Sequence, residues 1–205
     1  FSVATTGSLR TSIEGLLVGL DSSDSAAVDQ LGRRLAEAFF RRSDEVYLLQ
    51  RRLDAVLAQW CDLYRWVSVR QPGEILVRVF NPTVEANGYG LRRTVIQTCI
   101  EDQPFVFDTL MHLLASMELG QPRCIHPIVG VGRDADGRME RLNPLPQAQS
   151  GNESMMHFEV RLIEDPARLA EVERAVSRRM HKVQAMVSDF DALGARARWV
   201  ASHLG

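Results

Sequence analysis

The stretch Thr94 to Gly120, TVIQTCIEDQPFVFDTLMHLLASMELG, constrains the fold most, because its hydrophobic period changes part-way along. Thr94, Val95, Ile96, Thr98 and Ile100 are branched at Cβ, which restricts χ1 in a helix more than in a strand, so they predict a β-strand. From Val106 the apolar residues recur at helical spacing through Leu110, Leu113, Leu114 and Met117, and Gly120 stops the helix. Between the two, Asp102 is placed to accept backbone N–H bonds as an N-cap, and Pro104 fits an opening helical turn. A strand, an acidic turn and a helix are expected, with the turn the informative part.

The flanking chain predicts further elements. Ser8 to Leu20 has weak helical spacing, and Asp21 to Ser25 supplies turn residues and an N-cap. Val28, Leu31, Leu35 and Phe39, then Val46, Leu49, Leu53, Val56, Leu57, Trp60, Leu63 and Tyr64, predict two helices in a hairpin broken at Ser43-Asp44. Arg33, Arg34, Arg41, Arg42, Arg51 and Arg52 read as a solvated face, and Trp60 and Trp66 as core or interface aromatics. Gln71-Pro72-Gly73 marks a seam. Past it, Ile75 to Phe80 predicts a strand, Cys124 to Val131 a third, and Arg138 to Leu142 a fourth, the last two joined by a hairpin at Asp134 to Gly137. Met156, Phe158, Val160 and Leu162 alternate with His157, Glu159 and Arg161, giving a strand with a polar outer face. Asp165-Pro166 opens a long helix carrying Leu169, Val172, Val176, Met180, Val183, Val187 and Phe190. The order predicts an α+β fold, a ferredoxin-like antiparallel sheet with helices on one face, spanning 73–205 and preceded by a helical segment over 1–72.

Composition narrows the function. With 205 residues and 45% apolar content the chain can bury one good core. A net charge of -2 argues against nucleic acid as partner, and no apolar run approaches the ~20 residues of a membrane helix. Cys61, Cys99 and Cys124 lack paired spacing, which suits reduced thiols in a cytoplasm. Only Lys182 among 24 basic residues is a lysine, so few options remain for imine chemistry. Phe1 is not an initiator and Phe1 to Gly7 has no signal-peptide pattern, so a piece of a longer polypeptide is expected.

The chemical motifs are sparse. Gly130-Val131-Gly132-Arg133-Asp134-Ala135 fits the dinucleotide fingerprint G-x-G-x-x-A, yet Asp136-Gly137 turns the chain into another strand where a helix is needed. Cys124 with His126, and His157 with Glu159, share strand faces, but no third close ligand completes a metal site. Glu101, Asp102 and Asp108 cluster where the helix dipole favours anions, without a nucleophile or metal beside them. The turn's free N–H groups could instead hold a small anion such as an amino-acid carboxylate. No catalytic residue and no metal ligand is assigned.

Taken in order, Val77-Arg78-Val79-Phe80-Asn81-Pro82, Glu85, Gly88, Thr94-Val95, Asp102-Gln103-Pro104-Phe105, Asp108, His126, Arg133, Gly137, Glu153-Ser154-Met155-Met156-His157 and Glu159 resemble the N-terminal region of the large bacterial NAD-specific glutamate dehydrogenases. The resemblance covers about Glu74 to Arg198. It implies an ACT-like regulatory or assembly domain ahead of a catalytic domain that interconverts glutamate and 2-oxoglutarate with NAD. The chain itself is then expected to be inactive and to hold no cofactor. Its implied partners are its own catalytic domain, sister subunits and an amino-acid effector. In ligand-binding ACT domains the turn resembles D-x-P-G, which places candidate ligand contacts at Asp102, Gln103, Pro104 and Phe105. Phe105 stands where the motif has glycine, and its side chain competes for a ligand's space. The alternatives are a purely structural oligomerisation module and a metal enzyme using His126, His157 and Glu159.

Overall fold

The computed structural model describes residues 30–148 and 151–203. The readings of Ser8 to Leu20 and Asp21 to Ser25 lie outside the described residues. Among the described residues three helices come first, α1 (Gln30–Arg42), α2 (Glu45–Leu49) and α3 (Leu53–Val67). The sequence predicts two. Asp44 ends α1 and caps α2, accepting from Val46 N at 3.0 Å, as the Ser43-Asp44 break requires. A second break at Gln50–Arg52 divides the rest, and it turns Arg51 toward the sheet.

The sheet follows as β1 (Leu76–Phe80), a short helix α4 (Val84–Asn87), β2 (Thr94–Glu101), α5 (Val106–Ser116), β3 (Arg123–Ile125), β4 (Ile128–Arg133), β5 (Met139–Asn143), β6 (Asn152–Val160) and the long α6 (Pro166–His203). All pairings are antiparallel, in the order β1-β2-β6-β4-β5, with β3 also on β6. The single strand expected over Cys124 to Val131 is two, because Pro127 has no N–H to give the ladder. The last strand runs over Asn152–Val160 and stops short of Leu162.

β2 lies inside the sheet, between β1 and the central β6, and is buried on both faces from Thr94 to Ile100. Its even positions, Ile96 and Ile100, pack with Met156, Phe158 and Val160 against α5 and α6. Its odd positions look the other way. There Cys99 and Met155 join Leu35, Phe39, Phe40, Trp60, Leu63 and Val67 of α1 and α3 in a second core. The helices before Gln71 therefore cover the sheet face opposite α5 and α6. This corrects the reading of β6, whose polar face is buried under a helical layer. His157 and Glu159 are 1% and 0% exposed.

Candidate functional site

Two places carry unusual chemistry, one at the end of β2 and one beneath it. At the end of β2 the Asp102 N–H still pairs with Asn152 O (2.9 Å), so the strand's ladder runs on through Asp102. The helix cap consequently falls later than predicted. Phe105 is the N-cap, with φ 69 and ψ -1, and its carbonyl accepts from Thr109 N at 3.0 Å. A left-handed φ is natural for glycine and costs another residue roughly 1–2 kcal/mol. Phe105 thus takes the backbone conformation of the motif's glycine and turns its ring outward, 61% exposed.

The same turn forms one wall of an open groove of about 450 Å³, lined by Glu101, Asp102, Gln103 and, from α6, Gln184, Val187 and Ser188. Partial burial raises the Asp102 carboxyl above its ordinary value. The Gln103 Nε2 is buried with no hydrogen-bond partner. Asp102 and Gln103 thus border the groove, and Phe105 stands exposed in the same turn.

Beneath, the odd faces of β2 and β6 present polar side chains to α2 and α3. The register sets Arg78 of β1 opposite Gln97 of β2, and Gln97 opposite His157 of β6, in one row across three strands. Arg78 Nε donates to Gln97 Oε1 (2.6 Å) and its Nη2 to Asp62 of α3 (2.7 Å), with Trp66 and Phe80 flanking the guanidinium. Gln97 Nε2 lies 2.8 Å from His157 Nδ1, which accepts, leaving Nε2 facing Glu159 at 3.4 Å and the Gln59 amide of α3 at 3.2 Å, whose Oε1 accepts from Arg51 Nη1 at 3.1 Å. Glu159 also accepts from the Tyr47 hydroxyl (2.8 Å) and from Arg51 on both oxygens (2.7 and 2.6 Å). Arg51 lies over the Tyr47 ring and is no part of the solvated arginine face predicted for it. Arg52 is, pairing at the surface with Asp54.

A second knot lies at the other end of β6. Glu153 accepts from Arg70 (2.8 Å) and from Arg133 on both oxygens (2.7 and 2.8 Å), and the Cys99 thiol points at it from 3.2 Å. Burial opposes ionising Glu153, but the hydrogen bonds from Arg133 and Arg70 outweigh it and hold its carboxyl below the usual value. In Glu159 burial is likewise outweighed, by His157, Arg51 and Tyr47. Burial, then the Glu153 charge, pushes the Cys99 thiol well up, so it is no nucleophile. Gly137 holds the corner at φ 77. Its carbonyl accepts from Arg70 N and Arg133 Nη1 (both 2.9 Å), and a Cβ there would meet the Arg70 carbonyl at 2.6 Å.

The two strand pairs singled out as possible metal ligands do not converge. His126 stacks on Phe107 and bonds Ser154 at 2.8 Å, apart from His157 and Glu159. Burial and then Arg42 push its ring down to about 4. Cys124 is pushed up to about 12 by burial. Among the described residues no group of three or more His, Cys, Asp or Glu could hold a metal ion. Gly130 to Ala135 runs from β4 into a hairpin, with Asp134 Oδ1 accepting from Asp136 N and Arg138 N, so no helix N-terminus faces a pyrophosphate. Nor is any described helix long and apolar enough to cross a membrane.

The family model described as glutamate dehydrogenase, ACT1 domain, matches residues 35–176, from within α1 to within α6. The chain belongs to this family. Relatives of this ACT1 domain include an NAD-specific glutamate dehydrogenase of Halomonas elongata, 29% identical over 187 residues, and one of Pseudomonas aeruginosa, 28% identical over 179 residues. The matches take in 90% and 83% of this chain but only 11% of either relative. No solved structure matches it.

Sequence reasoning missed Tyr47, Arg51, Gln59, Asp62, Arg70 and Gln97 as members of the buried network. One signal was available in Gln97, a lone amide inside an otherwise β-branched run that lies buried. Another was the alternation Glu153, His157, Glu159, which period-2 reasoning assigns equally to a solvated face or to one under a polar-faced helix.

Proposed function

We propose that the ACT1 domain serves in regulation and assembly of a larger NAD-specific glutamate dehydrogenase, and is itself non-catalytic. On this reading the parent enzyme interconverts glutamate and 2-oxoglutarate, and NAD binds in its separate catalytic domain. The observation that carries it is the β2–α5 turn, where Asp102, Gln103 and Pro104 lead into an outward-facing Phe105 in a glycine-like conformation. That arrangement spends backbone strain at an exposed corner, and strain of this kind concentrates at binding surfaces. The neighbouring groove supports an amino-acid effector. Glu101 and Asp102 suit its ammonium group, and Gln103 offers an unmatched donor. Sister subunits and the parent's own catalytic domain are the macromolecular partners.

The test is thermal stability of the purified chain against a panel of amino acids, 2-oxoglutarate and nucleotides. A bound effector at 100 times its Kd adds about 2.7 kcal/mol, and Asp102→Ala should abolish the shift. No shift with any compound leaves assembly as the sole role, which the exposed Phe105 favours. Glutamate-dependent NAD reduction by the chain alone would overturn the proposal.

A further inference from the structure

The long helix α6 outruns the fold it belongs to. Its last buried side chain among the described residues is Val183, with Val187 partly covered, and Gln184 Nε2 donates to Gly73 O (2.9 Å) near the point of departure. From Ser188 to His203 it continues for about 24 Å at 1.5 Å per residue. Met186 just before that segment, and Phe190 and Leu193 within it, are 51%, 75% and 63% exposed, at i, i+4, i+7 spacing on one stripe. A helical stretch of this length gains little stability in water without packing, and such a stripe marks a contact surface.

We propose that this extension pairs antiparallel with the same segment of a second copy of the chain. This rests on the assembly half of the proposed function and names the partner. The argument is charge complementarity. In heptad terms Met186 and Leu193 are d positions and Phe190 is an a position, so exposed Asp189 and Arg196 both fall at g, on one flank of the stripe. In an antiparallel pair a packs against d and g faces g. Phe190 then meets Leu193 of the second copy, and Asp189 meets Arg196 of the second copy, each twice by the two-fold axis. A parallel pair sets g against e, where Asp189 faces position 194, a glycine, and no opposite charge is met. The sequence of charges therefore selects the antiparallel arrangement. The stripe lies roughly 50° round the helix from the core-facing Val172, Val176 and Val183, at ~100° per residue, and beyond Val183 along its axis, so pairing leaves the fold's own packing in place.

Sedimentation equilibrium of the 205-residue chain over a concentration series at low salt tests this, with circular dichroism as the check on folding. The expected result is a monomer–dimer equilibrium. Asp189→Arg or Arg196→Asp alone should raise the dimer Kd about tenfold, because two attractive pairs become repulsive, and the double variant should restore it. Phe190→Ser should weaken it at least as much. Rescue within one chain type requires two copies, so another partner cannot mimic it. A monomer at every concentration, or a dimer indifferent to all four variants, would overturn the proposal. Neither outcome touches the effector reading, which thermal shifts decide separately.

Discussion

Replacing Arg51 by methionine tests whether the buried ion network, and with it the docking of the helical layer, rests on charge balance. Glu159 is fully buried in the sheet and Arg51 is its one arginine partner among the described residues, on both oxygens, with 15% of the arginine side chain exposed. Breaking a buried pair from one side costs about 3–5 kcal/mol, mostly the penalty of the charge left behind. Two features lower the expectation here. The Tyr47 hydroxyl still donates to Glu159 at 2.8 Å, and water can reach the rim that Arg51 vacates. A loss of about 3 kcal/mol is therefore expected, to which the Tyr47 cation–π contact contributes about 0.5–1 kcal/mol. Arg52→Met, one residue away, removes only an exposed pair with Asp54 and should cost less than about 0.5 kcal/mol. Adding Glu159→Gln to Arg51→Met should recover at least half the loss, since no orphaned charge remains. Urea unfolding followed by tryptophan fluorescence reads all three, because the Trp60 ring lies 5.8 Å from that of His157. The reasoning fails if Arg51→Met costs under about 1 kcal/mol, or if the double variant is no better than the single.

Phe105→Gly should leave stability unchanged or raise it by up to about 1 kcal/mol in a thermal melt, as relief of the left-handed strain offsets the entropy glycine adds to the unfolded chain. A larger loss would mean that the exposed ring makes packing contacts. The His126 ring, pushed down to about 4 from 6.5, binds its proton in the unfolded state first. Its contribution is complete above about pH 6.5 and fades as pH falls toward 4, by at most about 3 kcal/mol for a partly covered ring. His126→Gln should flatten the stability–pH curve in that window, most cleanly above about pH 5, since the lowered Glu153 and Glu159 carboxyls lose their contribution only as pH falls through about 4.5. A chain cut at Gly73 should fail to unfold cooperatively in urea, since it loses Arg51 and Arg70 while keeping Glu159 and Glu153. A cooperative transition in that piece would refute this.

Three elements were legible in the sequence. β2 declares itself by branching, α5 by its 3.6 period, and α6 by the Asp165-Pro166 start, where Asp165 Oδ1 accepts from Ala167 N at 2.9 Å. The same local logic misplaced the start of α5. Asp102 has the right chemistry for a cap, but its N–H is taken by Asn152 of β6, a partner fifty residues on that no local pattern contains. The buried network stayed hidden for a related reason. Arg51 and Arg52 are adjacent and chemically identical, and only the break after α2 sends one inward and leaves the other in water. Polarity shows that a side chain needs partners, and tertiary contact decides whether they are water or protein.

β2 joins these features mechanically. Its end carries Asp102 into the turn, its even side chains hold α5 and α6, and its odd ones, Gln97 and Cys99, touch both ion networks. Packed interiors shift between discrete arrangements and do not deform smoothly. A partner that displaces Asp102 must therefore either break its bond to Asn152 or carry β6 along, and β6 holds Glu153, His157 and Glu159. Moving that row strains the bonds from Arg51, Arg70 and Arg133, two of which belong to the helical layer. On the regulatory reading proposed above, a surface event at the turn would reach the opposite face of the molecule through two strands. The coupling free energy it can transmit, typically about 1–3 kcal/mol, is no larger than the cost of loosening one of these buried pairs.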